Sequence, residues 1–160
     1  MTGLSIILVN YKVPLVALDC LRTLFPLPPE MEVIVVDNHS GDDSRDLILS
    51  RFPQVQWVQM DYNSGFARGN NAGIHAAKGN VVLLLNSDTL NQDNAIVRCY
   101  QQFKDSAYVA CGVQLLNADG SPQISGNFFM KGGLNHLMSL PYTGRLIRAV
   151  GLLLKVKKQM

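Results

Sequence analysis

Residues 63–88 read NSGFARGNNAGIHAAKGNVVLLLNSD, and the prediction of the fold class starts from this passage. A polar, glycine-rich segment runs into a helix that ends near Gly79, and a continuous apolar run at 81–85 follows it at once. Such a run is typical of a strand that is buried on both faces of a parallel sheet. The strand passes directly into Asn-Ser-Asp at 86–88. The passage therefore predicts a helix and a strand whose carboxyl end is polar.

The same alternation extends upstream of this passage. Apolar runs at 4–10 and 32–36 predict two buried strands, and a shorter third strand is predicted at 55–60. The residue pattern between them predicts helices at 15–24 and 43–52. Strands that alternate with helices in this way form a mostly parallel sheet with helices on both faces, so the predicted fold class is α/β.

Three further elements are predicted downstream. A helix is expected at 92–103, and a fifth strand at 108–116. Asn-Ala-Asp-Gly at 117–120 predicts a tight turn, because such residues adopt the backbone conformations that hairpins need. The alternation of apolar and cationic residues at 144–158 predicts a basic helix.

Composition excludes several classes of protein. The chain has 160 residues, of which 48% are hydrophobic and 16% charged, and this suits one folded domain rather than a disordered chain. No apolar stretch reaches the roughly 18 residues that a membrane span needs, and we find no secretory leader, so a cytoplasmic location is expected. The three cysteines include no CxxC pair, and we predict neither a zinc site nor a disulfide.

Charge is distributed unevenly along the chain. All 12 acidic residues and 8 of the 14 basic residues lie before residue 120, so the rest of the chain is basic and contains no carboxylate side chain. The basic residues of the first part are few and scattered. We therefore predict that nucleic acid is not a partner.

The carboxyl ends of the predicted strands share one edge of the sheet, where such folds bind ligands. No glycine-rich dinucleotide loop follows the first strand, and no Walker A sequence occurs, so a metal or a basic side chain has to neutralise any bound phosphate. The strand ends are polar throughout, at Asn10 and Tyr11, at Asp37 and Asn38, at 63–68 and at 86–88.

Three charged side chains of this edge each have two interpretations. Asp88, with Asn86 and Thr89 nearby, either holds a divalent cation that bridges a diphosphate or caps the next helix. Asp37 either accepts hydrogen bonds from a base or ribose or forms a turn. Arg68, in a glycine- and asparagine-rich loop, either recognises a phosphate or base or serves only the solubility of the surface.

Four blocks of the sequence, at 4–11, 33–38, 63–74 and 82–88, resemble the nucleotide-sugar-binding half of family 2 glycosyltransferases in order and spacing. Members of that family have the GT-A fold. The passage 63–88 is similar in particular to the rhamnosyltransferase-like branch. The resemblance implies inverting transfer of a sugar from a nucleotide-diphosphate sugar to an acceptor hydroxyl, in bacterial cell-surface polysaccharide synthesis, with divalent Mn or Mg as cofactor.

The resemblance also implies roles for individual residues. Asn10 and Tyr11 match the strand end that lines the base pocket, and Asp37 matches the acid that contacts base or ribose. Asp88 matches the carboxylate of the DxD motif that meets the metal and the diphosphate, but Asn86 stands where that motif often has an aspartate. With the neighbouring polar residues, the candidate substrate-binding set is Asn10, Tyr11, Asp37, Asn38, Asn63, Gly65, Phe66, Arg68, Asn71, Asn86 and Asp88.

A general base is missing from this set. An inverting transfer needs a group that deprotonates the acceptor hydroxyl, usually a carboxylate, and in the resembled family an acidic cluster of the acceptor half supplies it. No acid follows Asp119, and His136 either substitutes for it or is a solvated loop histidine. We interpret residues 1–119 as a nucleotide-sugar-binding α/β domain and 120–160 as an incomplete acceptor-side segment of a truncated chain.

Three function classes follow. The first is a glycosyltransferase or its donor-binding half, and the second is a catalytically silent nucleotide-sugar-binding fragment. A nucleotidyltransferase is the third, although no glycine-rich basic loop follows the first strand. The basic helix at 144–158 either lies on an anionic membrane, peripheral at its inner face and near a lipid-linked or saccharide acceptor, or packs on an acceptor half.

Overall fold

The structure is a computed structural model that describes residues 3–123. Strands and helices alternate along these residues, which confirms the predicted α/β class. The strands are β1 (Leu4–Asn10), β2 (Met31–Asp37), β3 (Gln56–Gln59) and β4 (Val81–Leu85). The helices are α1 (Pro14–Leu24), α2 (Ser44–Arg51), α3 (Phe66–Ala76) and α4 (Ala95–Lys104).

The four strands form one parallel sheet in the order β3-β2-β1-β4. β1 pairs with β2 so that Asn10 lies opposite Asp37, and β2 pairs with β3 so that Asp37 lies opposite Gln59. On its other side, β1 pairs with β4, where Leu8 lies opposite Leu85. The strand order thus reverses at β1, and α/β sheets bind ligands in the crevice at such a reversal.

Two separate cores lie on the two faces of the sheet, because successive side chains of a strand point to opposite faces. Ile7, Ile34 and Val36 pack against Ala72 and Ala76 of α3 on one face. The other face is covered by α1, α2 and α4. Its core includes Leu4, Ile6, Leu8, Leu18, Leu21, Val33, Val35 and Ile48.

Helix α3 approaches the sheet closely because two of its residues lack a side chain. A Cβ atom at Gly73 would lie 2.4 Å from Ile7 Cγ2, and a Cβ atom at Gly69 would lie 3.1 Å from Val9 Cγ1. A larger residue at 73 would push the helix outward, since a close-packed interior has no spare volume. These two contacts place the start of α3 near the carboxyl end of β1.

The predicted fifth strand at 108–116 is wrong. In the described part of the chain, this segment makes only one isolated antiparallel bridge, between Leu116 and Pro122. An apolar run forms a strand only where a neighbouring strand supplies partners for its backbone N–H and C=O groups. The tight turn predicted after it is present, because Gly120 N donates to Asn117 O over 2.9 Å.

The chain divides into two compact units, Met1–Val109 and Ala110–Met160. The first unit contains the sheet and its helices, and the described part of the second contains the tight turn. No helix within residues 3–123 is long and apolar enough to cross a membrane. The basic helix predicted at 144–158 and His136 lie outside the described residues.

Candidate functional site

The buried carboxylate of Asp37 organises the carboxyl ends of β1 and β2. Its Oδ1 accepts hydrogen bonds from Asn10 Nδ2 (2.9 Å) and Ser40 Oγ. Its Oδ2 accepts from Ser40 N (2.9 Å) and Gln59 Nε2 (2.8 Å). A carboxylate offers about four lone-pair positions, so protein donors occupy all of them. Asp37, which is 3% exposed, is therefore fixed in place by its own neighbours.

Two opposed effects act on the pKa of Asp37. Burial raises the pKa, because removal from water disfavours the charged form. Hydrogen bonds from Ser40, Gln59 and Asn10 stabilise the charged form and outweigh burial, so the pKa lies below its ordinary value of 3.8. Asp37 is thus a buried anion at neutral pH.

Asn10 leaves one acceptor of this network open. Its side chain is fully buried, and its Nδ2 also contacts Ser40 Oγ at 3.2 Å. Its Oδ1 has no hydrogen-bond partner among residues 3–123. A buried acceptor without a donor costs about 1–3 kcal/mol.

The loop after β1 presents an aromatic ring and a cation. Tyr11 is exposed, and Lys12 Nζ lies 5.4 Å from the centroid of its ring. Lys12 N donates to Ser40 Oγ over 2.9 Å, so the loop is tied to the network around Asp37. The exposed ring of Tyr11 therefore lies near the end of β1, and its role in a base pocket stays a prediction.

Asn38 joins the loop after β2 to the loop before α3. Its Nδ2 donates to Asn63 Oδ1 (2.9 Å), and its Oδ1 accepts from Ser64 N (3.0 Å). Asn63 Oδ1 also accepts from Gly65 N (3.1 Å). Asn38 and Asn63 thus shape the loop through contacts within the protein, and direct binding of a substrate by either one stays a prediction.

The start of α3 carries exposed candidate residues. Gly65 precedes the helix with a φ of +82°, which glycine adopts without strain. Phe66 is 60% exposed, and Asn71 is exposed too. Arg68 Nη1 donates to Tyr62 OH over 3.3 Å and remains at the surface. An apolar ring and a guanidinium are therefore available to a ligand at this end of the helix.

Asp88 lies exposed in the turn after β4. Thr89 N donates to Asn86 O over 3.1 Å, and the Cys20 thiol of α1 lies 3.9 Å from the same oxygen. Burial, and then the charge of Asp88, raise the pKa of Cys20 to about 12. The carboxylate of Asp88 is thus near enough to α1 to affect a buried group there, yet open to solvent.

The side chains around Asp88 suit a Mg²⁺ or Mn²⁺ ion whose other ligands come from a diphosphate and water. Asp88 offers one carboxylate, and the exposed Asn86 offers a carboxamide oxygen. Within residues 3–123, no three acidic, histidine or cysteine side chains form a cluster that could hold a metal ion. Magnesium is commonly held by one or two carboxylates together with substrate phosphates and water. These residues therefore suit a metal that binds with a nucleotide.

A cavity of about 420 Å³ opens beside Asp37, between the end of β3 and the start of α2. Its wall is polar and aromatic, and includes Asp37, His39, Ser44, Trp57, Gln59 and Asp61. The cavity adjoins the acid that is predicted to contact a base or ribose.

Two members of the Asp37 network, Ser40 and Gln59, are absent from the residues predicted from the sequence. Ser40 follows Asp37 by three positions, a spacing at which an aspartate accepts hydrogen bonds in a turn, so a local signal exists for it. Gln59 reaches Asp37 only through the pairing of β2 with β3, which no local pattern specifies.

The sequence and the fold resemble those of known proteins. A family model described as glycosyl transferase family 2 matches residues 5–149. The poly-beta-1,6-N-acetyl-D-glucosamine synthase of Staphylococcus epidermidis is 29% identical over 105 residues, which cover 64% of this chain and 26% of the synthase.

Two solved structures share the fold. S. aureus TarS 1-349 in complex with UDP-GlcNAc has a TM-score of 0.59 at 23% identity, covering 65% of this chain and 32% of the TarS chain. The mannosyltransferase PcManGT from Pyrobaculum calidifontis, in complex with GDP-Man and Mn²⁺, has a TM-score of 0.58 at 19% identity, with coverage of 65% and 32%.

The matched region is only part of these proteins, since this chain spans 26% of the length of the synthase and 32% of each solved chain. The structural likeness shows that the parallel sheet is of the GT-A type. The family model covers the chain from the first strand to residue 149. The chain therefore belongs to glycosyl transferase family 2.

Proposed function

We propose that the carboxyl edge of the sheet binds a nucleotide-diphosphate sugar, and that the chain is the donor-binding part of a metal-assisted, inverting glycosyltransferase. The observation that carries the proposal is the exposed Asp88 at the end of β4, beside the strand end that the buried Asp37 network organises. TarS with UDP-GlcNAc and PcManGT with GDP-Man and Mn²⁺ share the fold, which supports a donor of this class.

The nucleoside would bind at the ends of β1 and β2. The exposed Tyr11 ring is available for stacking on a base. Asp37 has no unused lone pair, and Gln59 is its one exposed partner. A base or ribose that hydrogen-bonds Asp37 directly therefore has to displace Gln59.

The diphosphate would bind toward the β4 side of the edge. Asp88, with Asn86, would hold a Mg²⁺ or Mn²⁺ ion, which when bound supplies positive charge to the leaving diphosphate. Arg68 adds a guanidinium whose donors match phosphate oxygens in geometry. Asp88 itself repels a free diphosphate, so nucleotide binding depends on the metal.

In the transfer, the acceptor oxygen forms a bond to the anomeric carbon of the sugar as the bond from that carbon to the diphosphate oxygen breaks. The acceptor proton passes to a general base, and attack opposite the leaving group inverts the configuration. No carboxylate side chain follows Asp119 in the sequence. For residues 1–160 taken by themselves, the second candidate function is a catalytically silent module that binds the donor without deprotonating an acceptor.

The proposal extends to a donor of the rhamnosyltransferase-like branch and to a lipid-linked or saccharide acceptor in bacterial cell-surface polysaccharide synthesis. Similarity to a poly-beta-1,6-N-acetyl-D-glucosamine synthase supports the polysaccharide context. Residues 1–119 would form the donor-binding domain and 120–160 an acceptor-side segment. The basic stretch at 144–158 would keep a cytoplasmic protein at the inner face of an anionic membrane.

Calorimetric titration of the 160-residue chain with nucleoside diphosphates, with and without Mn²⁺, tests the proposal. Asp88→Asn should lower the metal-dependent affinity at least about tenfold, because a ligand of the cation is lost. Asp93→Asn removes the same charge at an exposed position shortly after Asp88 and should change the affinity less than about twofold.

The two parts of the proposal fail separately. If Asp88→Asn keeps the metal dependence of the unmodified chain, the metal role of Asp88 is wrong while donor binding stands. If no nucleoside diphosphate binds with or without Mn²⁺, donor binding itself is wrong.

A further inference from the structure

The turn that carries Asp88 is attached to helix α1 at two points. The first lies just before Asp88, where the Cys20 Sγ approaches Asn86 O at 3.9 Å. A thiol is a weak hydrogen-bond donor, and the carbonyl oxygen of Asn86 is its acceptor here.

The second attachment follows Asp88 and is stronger. Asn91 N donates to Thr23 Oγ1 over 2.9 Å, and Asn91 Nδ2 donates to Thr23 O over 3.2 Å. Thr23 Oγ1 in turn donates to Cys20 O over 2.7 Å. Asn91 Oδ1 accepts from Ile96 N over 3.1 Å, which also ties the start of α4 to the same point. One residue of α1 thus holds Asn91 twice, since the Thr23 hydroxyl binds its backbone N–H and the Thr23 carbonyl binds its side chain.

Helix α1 is a firmer support than β4. Five of its residues are buried, whereas every residue of β4 is at least partly exposed. β4 also pairs with a strand on one side only within the described residues. The turn is thus held to the half-buried helix α1 on both sides of Asp88, in addition to its covalent connection to β4.

We propose that Thr23 and Asn91 are positioning residues for Asp88: they hold the turn between Asn86 and Asn91 so that the carboxylate faces a metal-bound diphosphate. The identity of the ligand in this inference rests on the proposed function, whereas the attachment of the turn to α1 does not. It assigns the two residues no contact with the nucleotide. Their effect passes through the backbone of the turn alone.

Hydrogen exchange of the chain without ligand tests the geometry. Thr23→Val replaces the hydroxyl by a methyl group of similar size, so Asn91 N and Thr89 N should exchange at least about fivefold faster, while the amides of β1 stay unchanged. Thr23→Ser restores the hydroxyl and should restore the protection. Ser50→Ala removes a hydroxyl that donates to Leu47 O in the same helical pattern on α2, and it should not affect the turn.

Unchanged exchange at Thr89 and Asn91 in Thr23→Val would overturn the inference. The rescue by Thr23→Ser separates a specific hydrogen bond from a general loss of packing. Asn91→Ala removes the bond from Asn91 Nδ2 to Thr23 O and keeps the bond from Asn91 N to Thr23 Oγ1. It should therefore also speed the exchange of Thr89 N, and the double variant should loosen the turn more than either single change.

Calorimetry with a nucleoside diphosphate and Mn²⁺ then tests the consequence. Thr23→Val should weaken the metal-dependent part of the affinity about tenfold and leave the metal-free affinity unchanged, whereas Thr23→Ser keeps both. Thr23→Val can loosen the turn and still leave the metal-dependent affinity unchanged, while Asp88→Asn lowers that affinity. In that case the positioning role is wrong. If Asp88→Asn has no effect either, the proposed role of Asp88 fails instead, and the exchange data alone decide the geometry.

Discussion

Asp37 and Asp88 are both acids at the carboxyl edge of one sheet, yet their surroundings differ completely. Asp37 is buried at the end of β2, and every lone-pair position of its carboxylate is occupied by protein donors. Asp88 is exposed beyond β4, in a turn held by attachments to α1. The carboxylate of Asp37 is fully hydrogen-bonded within the protein, whereas the carboxylate of Asp88 is accessible to a ligand.

This difference shows how an α/β sheet can separate stability from binding. The β1–β2 side is closely tied together, since four hydrogen bonds hold the Asp37 carboxylate and helices pack on both faces of the strands. The β4 side is open and keeps an unshared negative charge. Substitutions on the two sides should therefore affect different quantities, the free energy of unfolding on one side and ligand affinity on the other.

The largest expected effect separates the two acids directly. Asp37→Ala should lower the free energy of unfolding by about 3 kcal/mol, because buried donors of Asn10 and Ser40 lose their acceptor. Asp88→Ala should change it by no more than about 0.5 kcal/mol, since an exposed side chain loses little. Urea unfolding followed by circular dichroism measures both, and equal losses would remove the distinction between the two sides.

A smaller effect tests whether packing also stiffens the β1–β2 side. Alanine in place of a helical glycine gains about 1 kcal/mol of helix propensity. At Gly73 the new Cβ meets Ile7 and Val36 at 2.4 and 3.1 Å, so overpacking should win and destabilise the protein by about 1–2 kcal/mol. At Gly69 the nearest contact is 3.1 Å, and gain and strain should nearly cancel.

The matched pair makes this measurement decisive. Both substitutions add one methyl group to the same helix, and both are measured by thermal unfolding. If Gly73→Ala is as stable as Gly69→Ala, the close approach of α3 to the sheet does not stiffen that side.

The smallest expected effect is a pH dependence. The folded-state pKa of Asp37 lies below its ordinary value of 3.8, so its contribution to stability is complete above that value and is lost as the pH falls through the folded-state pKa. The unmodified chain should therefore lose stability below about pH 4 more steeply than Asp37→Asn. Parallel stability profiles for the unmodified chain and Asp37→Asn would contradict the assignment.

The sequence predicts some elements of this fold well because their signals are local. The strands predicted at 4–10 and 81–85 have the same bounds as β1 and β4, since each is an apolar run that ends at polar residues or glycine. The predicted strand at 108–116 fails for the opposite reason. Whether an apolar run forms a strand depends on a distant partner, which local composition does not reveal.

The same distinction applies to the site. Asn10 and Asp37 were predictable because each ends a strand, and the register places them side by side. Gln59, Thr23 and Asn91 were not, since their roles depend on strand register and on contact between a helix and a distant turn. Binding of substrate by the predicted residues remains a prediction for each of them.

The position of β1 between its two neighbours has a consequence for the order in which the protein assembles. Leu4 pairs with Met31 on one side and with Val81 on the other, so the second pairing closes a loop nearly three times as long. The longer closure costs about 0.9 kcal/mol more in chain entropy. The Asp37 side should therefore fold early and the Asp88 side late. A ligand that contacts both sides would stabilise the pairing of β1 with β4, which forms last, and would slow its opening.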